Sequence, residues 1–97
     1  MYLAAYHFTG EPVALLEAHD RLMESYEGQS LDLHLCVQQL DGVLVLDACP
    51  TQAAFEQFSR SLDVRTALSA VALPEPRIEG LGDVHTMQGS ALTAVTS

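Results

Sequence analysis

Side chains able to move protons crowd into the two runs that flank one turn. His34, Cys36 and Gln38 alternate with Leu33, Leu35 and Val37, and Asp47 and Cys49 flank Ala48 a few residues on. Alternate residues of a strand point to opposite faces. Asp41-Gly42 lies between the runs and is a strong two-residue hairpin signal. Closing the hairpin there puts Leu33, Leu35 and Val37 beside Leu44, Leu46 and Ala48, as the wall of a core. The opposite face carries His34, Cys36, Gln38, Val45, Asp47 and Cys49 and reads as the wall of a pocket. With Leu40 opposite Val43, His34 faces Cys49 and Cys36 faces Asp47. A two-residue shift of register changes these partners but not the faces.

Imidazole acts as a general base near neutral pH, and a carboxylate can orient it. A thiol beside a histidine can have a lowered pKa. Removing a proton from an acidic phenol or enol, followed by reaction with oxygen or by isomerisation, needs one such base in a dry pocket. The candidate catalytic residues are therefore His34, His7 and Asp47, with Cys49, Gln38, Cys36 and Val45 lining the pocket. The plainer reading is that His34 and Asp47 satisfy one another across the hairpin. His7 lies in a run that is apolar on both faces, so it either joins the cluster or is a core histidine. His19 falls on the polar side of a helix and reads as solvated. His7, His34, Asp47 and Cys49 are suitable ligand types for a metal, but no His-x3-His or Cys-x2-Cys spacing is present to support a site, so no metal is expected.

The elements that must position these groups follow from periodicity. Tyr2 to Phe8 is a short apolar, aromatic strand. Glu11 and Pro12 open a helix whose apolar residues run from Val13 through Leu16, Ala18, Leu22, Met23 and Tyr26, with Gly28 as its stop. After the hairpin, Thr51 caps a helix carrying Phe55, Phe58 and Leu62. Asp63 to Leu73 is also helical in pattern, with a kink or break over Ser59 to Asp63. Pro74-Glu75-Pro76 ends it. Arg77 to Met87 reads as a fourth strand weakened by Gly80 and Gly82.

The order β-α-β-β-α-β predicts an α+β, ferredoxin-like fold: a four-stranded antiparallel sheet, order 4-1-3-2, with the helices on one face. Strands 1 and 3 are expected to run parallel at its centre, bringing His7 to the end that holds His34, Asp47 and Cys49. His85 falls at the opposite end. Residues 1–88 form one domain and 89–97 a tail. The uncovered apolar face needs a cover, and a second copy of the chain, giving a homodimer, is the economical one.

Net charge is −9, with four arginines and no lysine. That argues against nucleic acid and anionic membrane surfaces as partners. No apolar run approaches the roughly 20 residues of a membrane span. A cytoplasmic location with both cysteines reduced is the expectation.

The run Gly42-Val43-Leu44-Val45-Leu46-Asp47-Ala48-Cys49-Pro50-Thr51-Gln52-Ala53-Ala54-Phe55-Glu56-Gln57-Phe58 resembles the strand-turn-helix signature of small dimeric α/β-barrel proteins. Tyr6-His7-Phe8, Pro74-Glu75-Pro76 and Val84-His85 resemble actinobacterial members related to antibiotic-biosynthesis-monooxygenase-like proteins. The resemblance spans nearly the whole chain. It implies two protomers pairing into an α/β barrel, with the polar hairpin face lining the interior between them. It also implies a cofactor-independent monooxygenase- or isomerase-like enzyme acting on a small aromatic or polyketide-like molecule. The competing expectation is a non-catalytic small-molecule-binding or stress-related dimer. Where many members carry Trp, this chain has Cys49. With no Trp or Asn anywhere, it lacks the Asn-His-Trp set of the haem-degrading branch.

Overall fold

The computed structural model describes residues 1–25 and 33–89. Along the chain run β1 (Tyr2–Thr9), α1 (Pro12–Ser25), β2 (Leu33–Gln39), β3 (Gly42–Cys49), α2 (Gln52–Ser59), α3 (Leu62–Ala70) and β4 (Arg77–Asp83). The expected helix stop at Gly28, the last apolar position Tyr26 and residues 90–97 of the tail lie outside the described residues.

The fold is ferredoxin-like, βαββααβ, with one sheet ordered β2-β3-β1-β4. That is the expected order read from its other edge. All three pairings are antiparallel. The expectation that β1 and β3 run parallel is therefore overturned, and chain direction explains why. The α1 crossover returns β2 in the direction of β1, the hairpin reverses β3, and β3 then lies beside β1. As a result His7 sits opposite Leu44, well away from Asp47 and Cys49, which face Ala4 and Tyr2.

The hairpin turns one residue earlier than the dipeptide signal puts it, which shifts the cross-strand pairing by two. Leu40 and Asp41 form the turn, so Gln39 faces Gly42, Cys36 faces Val45 and His34 faces Asp47. Gly42 is not in a positive-φ conformation. Its lack of a side chain serves another need: a Cβ there would lie 2.0 Å from the Phe8 carbonyl oxygen. Gly10 N–H donates to the Asp41 carbonyl at 2.9 Å and ties the turn to the end of β1.

The face that the helices cover is also the reverse of the expected one. Tyr2, Ala4, Tyr6 and Phe8 of β1 and Val43 and Val45 of β3 form the core with Leu15, Ala18, Phe55 and Leu73. Register places His34, Cys36, Gln38, Asp47 and Cys49 on this same side. The large aromatics of β1 decide the matter, because they supply the volume that Phe55 and Leu15 pack against. Tyr2 stacks on Phe55 at 5.3 Å between ring centroids, and Gly80 makes room for the Tyr2 hydroxyl. The opposite, open face carries Leu3, Ala5, Leu33, Leu35, Val37, Leu44, Leu46 and Ala48. Leu35 and Val37 are 44% and 41% exposed there.

Local chemistry fixes the helix ends. Glu11 accepts from the N–H groups of Val13 and Ala14, at 3.1 and 2.8 Å. Thr51 caps α2 as expected, accepting from Ala54 N–H at 3.1 Å. The anticipated break is real: Ser61 caps α3 through Asp63 N–H at 3.2 Å. β4 stops at Asp83, so His85 is in no strand. Among the described residues, no helix is long and apolar enough to cross a membrane.

α3 ends in a Schellman motif. Leu73 N–H donates to the Leu68 carbonyl and Ala72 N–H to that of Ser69. Ala72 takes the left-handed conformation the motif requires, at φ 62. A side chain there costs about 1–2 kcal/mol, which glycine avoids at some entropic expense. Ala72→Gly should therefore stabilise the chain by about 0.5–1 kcal/mol. The check is a higher denaturant midpoint at unchanged slope; a lower midpoint would contradict it.

Candidate functional site

The cross-strand pair His34 and Asp47 anchors the site. His34 Nδ1 lies 2.5 Å from Asp47 Oδ1, and both side chains are largely buried. From the helix side, Leu15 and Ala18 seat α1 on the sheet, and His19 follows Ala18 on the same flank. Its Nε2 is 2.9 Å from His34 Nε2, and its Nδ1 is 3.1 Å from Asp20 Oδ1. The two imidazole planes differ by 7° with centroids 5.1 Å apart. That separation equals the nitrogen–nitrogen distance plus one ring radius on each side. The rings therefore lie edge to edge in one plane, which is the geometry of a linear N–H···N bond.

Proton counting follows from this chain. Both carboxylates accept, so His34 Nδ1 and His19 Nδ1 each need a hydrogen. The Nε2 atoms share one more. All three bonds are made when the four ring nitrogens carry three protons, one more than two neutral imidazoles hold.

Between this sheet face and the helices lies a cavity of about 390 Å³. Its walls are mostly apolar, from Phe8, Leu15, Leu22, Val43, Val45, Phe58, Val64 and Leu68. His19, His34, Asp47 and Tyr6 bring polar groups to it, and Arg65 and Glu75 also line it. The size and the few convergent polar groups are those of a small-molecule site. The Tyr6 hydroxyl is buried and has no hydrogen-bond partner among the described residues. Burial, then the charges of Asp47 and Cys49, push its pKa well above the ordinary value. Tyr6 is therefore a neutral donor at physiological pH.

Of the residues singled out in the sequence, the structure brings together His34, Asp47 and Val45. His7 is on the opposite face of the sheet, 3.1 Å from Glu79. Gln38 is exposed near the turn, and Cys36 and Cys49 are half-buried beside the core without lining the cavity. Burial, then Asp20 and Asp47, push the Cys36 thiol up, so it is not an activated thiolate. His19 is not solvated as expected: its side chain is only 12% exposed. Its position four residues after Leu15 and three before Leu22 is the signal that places it on the buried stripe of α1. Among the described residues, no three His, Cys, Asp or Glu side chains are grouped so that they could hold a metal ion.

No protein-family model and no curated protein matches the chain in sequence. A solved structure does match in fold. It is a provisionally assigned antibiotic biosynthesis monooxygenase from Deinococcus radiodurans, with a TM-score of 0.59 over 92% of this chain and 100% of that one. At 13% identity the likeness is one of fold.

The Tyr6 phenol has a measurable consequence. Its raised pKa keeps the native proton bound where the unfolded chain loses it, near pH 10. The native state then binds more protons, so stability falls as pH rises through and beyond about 10. Tyr6→Phe should flatten this alkaline decline. It should also stabilise the chain at pH 7 by about 1 kcal/mol, because an unpaired buried hydroxyl is removed. Denaturation curves between neutral and alkaline pH check both; an unchanged alkaline slope contradicts the assignment.

Proposed function

We propose that this chain is a cofactor-independent oxygenase- or isomerase-like enzyme that removes a proton from a small aromatic or polyketide-like molecule. The observation that carries this reading is the His34–Asp47 pair opening on a mostly apolar cavity of about 390 Å³. The fold shared with the Deinococcus radiodurans protein supports it at the level of architecture.

His34 is the base and Asp47 holds its ring. The His19 bond occupies His34 Nε2, so a ligand hydroxyl or enol takes the place of His19 there. The substrate O–H or C–H bond breaks, an N–H bond forms, and the electron pair stays on the substrate. Return of the proton to another carbon isomerises the molecule. With dioxygen as co-reactant, addition to the carbanion gives a hydroperoxide, and loss of water leaves a carbonyl. Tyr6 donates a hydrogen bond to the developing oxyanion.

Anthrone is a suitable probe, being a flat carbon acid that tautomerises to a phenol. The chain should accelerate exchange of its acidic C–H with deuterated solvent, and Asp47→Asn should slow that exchange at least about tenfold. Oxygen uptake separates the oxygenase from the isomerase. Binding without exchange or oxygen uptake overturns the enzyme reading in favour of a binding protein.

We also propose that two protomers pair through the open sheet face into an α/β barrel. The exposed Leu35 and Val37, framed by Leu33, Leu44 and Leu46, support it. Light scattering should give twice the chain mass of 10.5 kDa, and Val37→Glu should halve it. A wild-type chain that is a stable monomer contradicts the pairing.

A further inference from the structure

We propose that the ligand of this cavity carries a carboxylate, held at the cavity wall by Arg65. The inference rests on the cavity being the ligand site proposed above and adds the charge of the molecule that enters it.

The cavity is lined by three residues of fixed charge, the acids Asp47 and Glu75 and the cation Arg65. The chain as a whole carries a net charge of −9, with four arginines and no lysine. Two of the other arginines are engaged: Arg21 donates to the Val71 carbonyl at 3.3 Å, and Arg77 lies 3.9 Å from Glu79. Arg60 does not line the cavity. Arg65 has no ion pair among the described residues, even with Glu75 on the same cavity wall. Arg65 is exposed at the rim of the cavity and is the one cation of fixed charge lining it, so an anionic group on a ligand would meet it there. Its planar fork matches a carboxylate in two parallel bonds.

The polar groups from the sheet fix the rest of the ligand. Tyr6 brings a donor with no partner, so the ligand presents an oxygen acceptor to it. The walls between are apolar. The molecule that fits is an aromatic body with a hydroxyl or keto oxygen facing Tyr6 and the His34–Asp47 pair, and a carboxylate facing α3.

The test uses 6-hydroxy-2-naphthoate and its neutral primary amide, which have the same shape, with binding measured by titration calorimetry. The full-length chain should bind the acid at least about fivefold more tightly than the amide. Arg65→Gln should erase that preference, bringing the acid and the amide to equal affinity. Arg65→Lys should keep part of it, and Arg60→Gln should keep it whole. Equal binding of acid and amide to the wild-type chain, or a preference that survives Arg65→Gln, overturns the carboxylate inference and leaves the cavity reading standing. Failure of both probes to bind overturns the ligand cavity, and this inference with it.

Discussion

The antiparallel register of β1 on β3, with Ala4 opposite Asp47 and Tyr6 opposite Val45, is the constraint on which the rest depends. It puts Tyr2, Tyr6 and Phe8 on the side that carries Asp47, and these aromatics draw the helices onto that face. The carboxylate is thereby buried, and burial is what makes its partner His34 necessary. A slip of one residue would send Asp47 to the open face and Leu46 to the helices, undoing core and site together.

The order of elements was readable because periodicity and punctuation agree along the chain. Thr51, the Ser59 to Asp63 break and Pro74-Glu75-Pro76 are local signals, and each governs the structure where it stands. The faces of the hairpin were equally readable. Which face the helices cover was not, because that depends on pairing with β1, forty residues away in sequence. A hairpin taken alone offers Leu44 and Leu46 as readily as Val43 and Val45 for a core. The error over His7 has the same origin: strand direction is a property of the whole crossover. Gly42 misled for a different reason. The Asp-Gly pair signals a turn, yet here glycine answers the approach of the Phe8 carbonyl, a tertiary demand that mimics a local one.

His19 shows how a charge-capable residue on a helix can be misread. Its neighbours Asp20 and Arg21 are exposed, and a polar run looks solvated. Helical spacing from Leu15 and Leu22 nevertheless turns it inward, where an imidazole without a partner would be costly. His34 supplies that partner. The pair is thus a packing solution and a chemical one at once: two half-buried rings satisfy each other in a plane, and the geometry that does so leaves one shared proton between them.

The sheet separates two tasks. Its helix side holds a polar cluster inside apolar walls, with a phenol hydroxyl unpaired and a carboxylate buried, features that lower stability unless a ligand uses them. Its open side is apolar and, among the described residues, carries no such cluster beyond the His7–Glu79 contact. The cavity lining described above, His34, Asp47 and Tyr6 included, comes from elements of this chain. A partner on the open face would contribute burial and rigidity to the strands that carry His34 and Asp47. The cost of the unpaired Tyr6 hydroxyl on one side can then be offset by apolar contact on the other.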